Sequence, residues 1–74
     1  MTIIFCSTNQ EIHYAIICKN TDLFVNVELK LYEEFPKYRD ESNYFTAHGD
    51  RINKYQNLDN NKIKNNEIIL LNTI

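Results

Sequence analysis

Cys6, His13, Cys18 and His48 carry the most reactive side chains in this chain of 74 residues. A thiol beside an imidazole can attack a carbonyl, and thiols with imidazoles can hold zinc. Metal sites usually declare themselves by close pairs such as Cys-x-x-Cys, and the chain has none. A reactive thiol also needs an identifiable electropositive niche. The expectation is therefore two structural thiols and two exposed histidines, with no metal. Glu33-Glu34 and Asp40-Glu41 are carboxylate pairs, but adjacent residues on a helix point apart, so both read as solvated faces. A single glycine excludes a glycine-rich phosphate loop. No residue is assigned a catalytic or cofactor-binding role.

Such a chain has room for one domain, residues 1–74. Its apolar fraction of 43% is ordinary for a globular protein, but so small a core must be dense, with little left for a deep cavity. A net charge of −2 argues against nucleic acid or an anionic membrane as partner, since both reward a basic face. The longest apolar runs, such as Ile68-Ile69-Leu70-Leu71, are too short to cross a bilayer. Met1 leads straight into a strand-like segment without a basic or apolar leader, so an intracellular protein, cytoplasmic or nuclear, with reduced thiols is expected. The abundant asparagines read as compositional bias more than structural demand.

The elements follow from periodicity. Thr2–Cys6 and Ile12–Cys18 flank the turn-prone Ser7-Thr8-Asn9-Gln10 and read as a β-hairpin. Ile3 and Phe5 are expected inward, with Ile12, Tyr14, Ile16 and Cys18, and Cys6 outward. Thr21 or Asp22 offers an N-cap. Phe24, Val27, Leu31 and Phe35 then recur at helical spacing, with Glu28, Lys30, Glu33 and Glu34 mostly away from that stripe. Pro36 ends the helix, and Lys37 to Asn43 reads as a polar connection. Tyr44–Ala47 and Asp50–Ile52 flank His48-Gly49, a turn that needs positive φ, which the lone glycine supplies. Leu58 and Ile63 anchor a polar stretch before Ile68–Leu71, a strand apolar on both faces that suits the middle of a sheet. Tyr32 and Tyr38 are expected to cover the helix end and Tyr55 to pack in its loop.

This order of strand, strand, helix, strand, short strand, strand resembles the ubiquitin-like β-grasp family along essentially the whole chain. Thr21-Asp22-Leu23-Phe24-Val25-Asn26-Val27 is similar to the start of the ubiquitin helix, with Asp, Asn and Val matching. Ala47-His48-Gly49-Asp50-Arg51-Ile52 resembles the third-strand hairpin. Leu58 and Ile63 fall where the family has loop anchors, and Ile69-Leu70-Leu71 where its last strand runs. The resemblance implies an α+β fold, a mixed sheet of four to five strands packed on one helix. It also implies a sheet face that docks other proteins, with Thr46, His48, Gly49, Leu70 and Asn72 as the candidate contact residues.

The departures shape the function that the resemblance implies. The chain ends Leu70-Leu71-Asn72-Thr73-Ile74, without the Gly-Gly of conjugated modifiers, and Asp50 and Asn65 replace the two lysines most used for chain building. On the docking patch the family's isoleucine falls on Thr46, its valine on Asn72 and its loop leucine near Asn9, while its histidine becomes Leu70. The expectation is a monomeric, non-enzymatic interaction module that binds another protein through its sheet and is not conjugated as given. The first alternative is a modifier whose Gly-Gly tail lies beyond Ile74. A Ras-binding type of adaptor ranks lower, because the second strand offers only His13 and Lys19 to an acidic partner.

Overall fold

The computed structural model describes residues 1–74. β1 (Thr2–Ser7) and β2 (His13–Ile17) form the hairpin, followed by α1 (Phe24–Glu34) and a 3-10 helix (Pro36–Asp40). β3 (Asn43–Ala47), β4 (Asp50–Arg51) and β5 (Glu67–Thr73) complete one mixed sheet in the order β2-β1-β5-β3-β4. β1 and β5 run parallel at its centre, and every other pairing is antiparallel. One helix crossing one face of such a sheet is the β-grasp arrangement.

Alternation decides which side of each strand meets the helix. Ile3 and Phe5 of β1, Phe45 and Ala47 of β3, and Ile69 and Leu71 of β5 point inward. They meet Phe24, Val27 and Leu31, which are fully buried on α1. Phe5, Phe24 and Phe45 form the centre, with ring centroids 5.2 to 6.0 Å apart and tilted or edge-to-face. Such pairs add to the burial energy of the rings themselves. Cys18 is buried and Cys6 lies on the opposite face, so the thiols are separated by the sheet. His48 and Gly49 both have positive φ, 42° and 85°. A Cβ on Gly49 would touch nothing, so the demand there is conformational and not steric.

The helix ends differ from expectation at one terminus. Pro36 follows Phe35, whose N–H still bonds to Leu31 O at 3.0 Å, and the helix stops there. At the other end neither Thr21 nor Asp22 caps α1. Asp22 accepts a hydrogen bond from Lys19 N instead, and Leu23 occupies the cap position. The free N–H groups of Phe24 and Val25 donate to Gln56 O and Lys54 O, at 3.0 and 2.8 Å. Carbonyls from a distant loop satisfy donors that a local side chain usually takes.

That loop shows that the asparagines answer a structural demand. Asn61 accepts from Asn53 N at 2.9 Å and donates to Asn53 O and Asn57 O at 2.8 and 3.0 Å. Asn57 accepts from Asn60 N, and Asn53 from Tyr55 N. Side chains thus replace the ladder that an irregular segment lacks. We expect Asn61→Ala to destabilise the fold by about 0.5–1.5 kcal/mol, the net worth of hydrogen bonds to backbone groups of which only Asn57 O is part-buried. A denaturant midpoint unchanged from wild type would refute this.

The segment after Pro36 is not merely a polar connection. It forms the 3-10 helix, and Tyr38 within it is buried. The Tyr38 hydroxyl donates to Glu11 and accepts from Asn9 Nδ2 at 3.1 Å, tying this turn to the β1–β2 loop. Lys37 Nζ lies 2.8 Å from the same carboxylate. Bonds from Lys37 and Tyr38 hold the Glu11 carboxyl below its ordinary pKa. A lowered folded-state value means that its stabilisation is present above the unfolded value and is lost as the pH falls through the folded one. Glu11→Gln should therefore show a shallower acid-side loss of stability than wild type. Parallel acid profiles for the two proteins would contradict this. Because the pair is exposed, the effect is small.

Candidate functional site

The second face of the sheet carries no helix. Cross-strand register places His13, Cys6, Leu70, Thr46 and Arg51 in one row across all five strands. Ala15, Ile4 and Ile68 form the neighbouring row. Ile17 is 80% exposed, Ile68 54% and Leu70 41%, while Ile4 and Cys6 are half-buried between them. Three isoleucines, a leucine, an alanine and a thiol thus form an apolar strip that runs from the edge strand β2 across β1 to β5. The strand holding Ile68–Leu71 does lie in the middle of the sheet, between β1 and β3, although only one of its two apolar faces is covered. Ile69 and Leu71 are buried, and Ile68 and Leu70 face outward.

Three of the five residues singled out from sequence come together on this face. Thr46 and Leu70 are register partners, and Asn72 Nδ2 lies 3.3 Å from Thr46 Oγ1. His48 and Gly49 occupy the β3–β4 turn at the margin. There the imidazole has Asp50 3.7 Å from Nε2 and Glu67 3.5 Å from Nδ1. A shallow depression runs along this margin, lined by Thr46, His48, Gly49, Ile68 and Leu70 among others. Beyond it Arg51 sits 4.7 Å over the Tyr44 ring.

Ile4, Ile17 and Ile68 are the residues that sequence reasoning missed. The signal was present: if Ile3, Phe5, Ile69 and Leu71 point inward, then Ile4, Ile68 and Leu70 must point outward. A run of consecutive apolar residues hides that parity. Tyr55 is another correction, for it is 70% exposed and does not pack in its loop. Tyr32 and Tyr38 do cover the helix end, as their burial shows.

The chemistry available to this face is contact chemistry. Cys6 and His13 are cross-strand partners. Cys18, on the other side of the sheet, has its thiol pKa pushed up by burial. No group of three or more His, Cys, Asp or Glu side chains converges to hold a metal ion. No helix is long and apolar enough to cross a membrane. What the face offers is exposed aliphatic area, worth about 1–2 kcal/mol for each side chain that a partner removes from water. Compared with models of protein families and with curated proteins, the chain matches none.

Proposed function

We propose that this chain is a non-catalytic, ubiquitin-like interaction module that docks another protein through the open face of its sheet. The observation that carries the reading is the unpaired aliphatic strip of Ile4, Ile17, Ile68 and Leu70. Contiguous apolar surface of this kind marks interaction sites, whereas scattered apolar residues do not. The β-grasp order of strands supports the ubiquitin-like reading by analogy of fold. Relative to the family's patch, the apolar area has moved. Thr46 and Asn72 are polar and hydrogen-bonded to each other, and the greasy surface lies instead toward β1 and β2. A partner fitted to this strip differs from the ordinary receptors of ubiquitin.

Native pull-down from cell extract, followed by amide NMR titration with the retained protein, tests the reading. Shifts should centre on Ile4, Ile68, Leu70 and Thr46. Leu70→Asp and Ile68→Asp should each weaken binding by about tenfold or more, as expected near the centre of an interface. Both sites are exposed, so thermal stability should change little. Undiminished binding by both variants, or a partner whose shifts map to the helix, would overturn the assignment.

A further inference from the structure

The two edges of the sheet are finished differently. β4 is 2 residues long, and both of them, Asp50 and Arg51, are charged. Unpaired backbone groups at an edge recruit further strands, and short or charged edge strands prevent this. β2 has no such guard. His13-Tyr14-Ala15-Ile16-Ile17 contains no lysine, arginine, carboxylate, proline or glycine, and it pairs with β1 residue for residue without a bulge.

Parity shows which backbone groups of β2 are open. Ile12 O accepts from Ser7 N and Cys18 N donates to Met1 O, so the even-numbered residues between them turn their backbone bonds toward β1. The N–H and C=O groups of His13, Ala15 and Ile17 therefore point away from the sheet. The open row is closed at both ends by local side chains. Glu11 N donates to Asn9 Oδ1 at 3.1 Å, and Lys19 N to Asp22 Oδ2 at 2.9 Å. What remains is a short unpaired ladder centred on Ala15.

We propose that β2 pairs antiparallel with β2 of a second copy of this chain, about a two-fold axis at Ala15, in place of the monomer expected from sequence. Ala15 then faces its own counterpart and His13 faces Ile17, so every open N–H and C=O finds a partner. A slip of two residues sets Ile17 against Glu11, or His13 against Lys19, whose N–H groups are already taken. The flanking charges fit the same register. Glu11 and Lys19 are exposed and equally far from Ala15, so each meets the opposite sign across the axis. Lys19 joins no ion pair within the chain, while Lys37 and Tyr38 both donate to Oε2 of the Glu11 carboxylate. On the helix side Tyr14, edge-on to Phe35 at 5.5 Å, comes opposite Ile16. One strand from each copy buries less than the roughly 1,200 Å² of a stable complex, so the dissociation constant should be on the order of 0.1–1 mM. The edge is used and the open face is left free, so the pairing does not depend on the docking proposed above.

Sedimentation equilibrium and amide NMR of the whole chain, over a concentration series that reaches the millimolar range, test the pairing. Dimer should accumulate with concentration, with shifts and slowed amide exchange centred on His13, Ala15 and Ile17. Ala15→Pro removes an N–H that β1 does not use, a change that edge strands tolerate, and should weaken association by about tenfold or more. Lys19→Glu sets like charges together and should weaken it by about threefold at low ionic strength, and by less in high salt. Leu70→Asp, on β5, should leave it unchanged, which separates the edge from the docking face. A chain that stays monomeric, even one that binds an extended peptide at β2, would overturn the proposal. So would shifts centred on β5 or α1, or wild-type association in both Ala15→Pro and Lys19→Glu.

Discussion

Phe24→Ala is expected to remove about 3–5 kcal/mol of stability, enough to leave a domain of this size largely unfolded. Phe24 is fully buried and touches both other rings of the phenylalanine centre, at 6.0 Å from Phe5 and 5.2 Å from Phe45. It also opens α1, so its N–H is the one received by Gln56 O. Truncation would leave a cavity where helix, sheet and capping loop meet. In a thermal melt the midpoint should fall by roughly 15–30 °C, given that 1 kcal/mol shifts so small a domain by several degrees. Leu29→Ala supplies the control. Leu29 lies on the same helix but is 54% exposed, and its truncation should cost about 0.5 kcal/mol or less. Similar melts for the two variants would show that the helix does not pack as described.

The second large effect belongs to the Glu28–Tyr32 pair. Tyr32→Phe deletes the only donor to the buried Glu28 carboxylate and should cost about 1.5–3 kcal/mol. In Glu28→Met/Tyr32→Phe the charge is gone as well, and much of that loss should be recovered, because replacing a buried polar pair by apolar groups of similar volume is often neutral. A double variant less stable than Tyr32→Phe would refute this account. The same pair predicts the alkaline behaviour. Burial first, and then donation to Glu28, push the Tyr32 hydroxyl well above the ordinary tyrosine pKa. A raised folded-state value contributes stability that is present below the unfolded pKa and is lost as pH rises through the folded one. Cys18, raised by burial, acts with the same sign from the ordinary thiol value upward. Wild type should therefore lose stability on the alkaline side, and Tyr32→Phe should lose less of it. Equal alkaline slopes in chemical denaturation would count against the coupling.

Much of the architecture was legible without coordinates. Phe24, Val27 and Leu31 recur at helical spacing because one side of a surface helix must be apolar, and that side is the one found buried. Gly49 marks its turn because positive φ is cheap only for glycine. Leu58 and Ile63 anchor their loop as expected of isolated aliphatics in a polar stretch. The candidate face was legible in part. Thr46, Leu70 and Asn72 do meet on it, but Ile4, Ile17 and Ile68 were hidden in apolar runs whose inner and outer members look alike.

The amino-acid sequence by itself determined the order of elements and their periods, because these depend on local dihedral preference and on repeats of two or 3.6 residues. Tertiary structure alone decided what depends on contacts between distant segments. Gln56 and Lys54 cap the helix in place of Thr21 or Asp22, since their carbonyls reach its free N–H groups. Glu28 is buried because Tyr32 on the next turn offers a hydroxyl and the β3 approach covers both. Tyr38 becomes a core residue because the β1–β2 loop, far away in the chain, brings Glu11 and Asn9 to its hydroxyl. No local pattern encodes such meetings. They arise when chain reversal sets one segment's unsatisfied groups against another's, and the free energy of each depends on both.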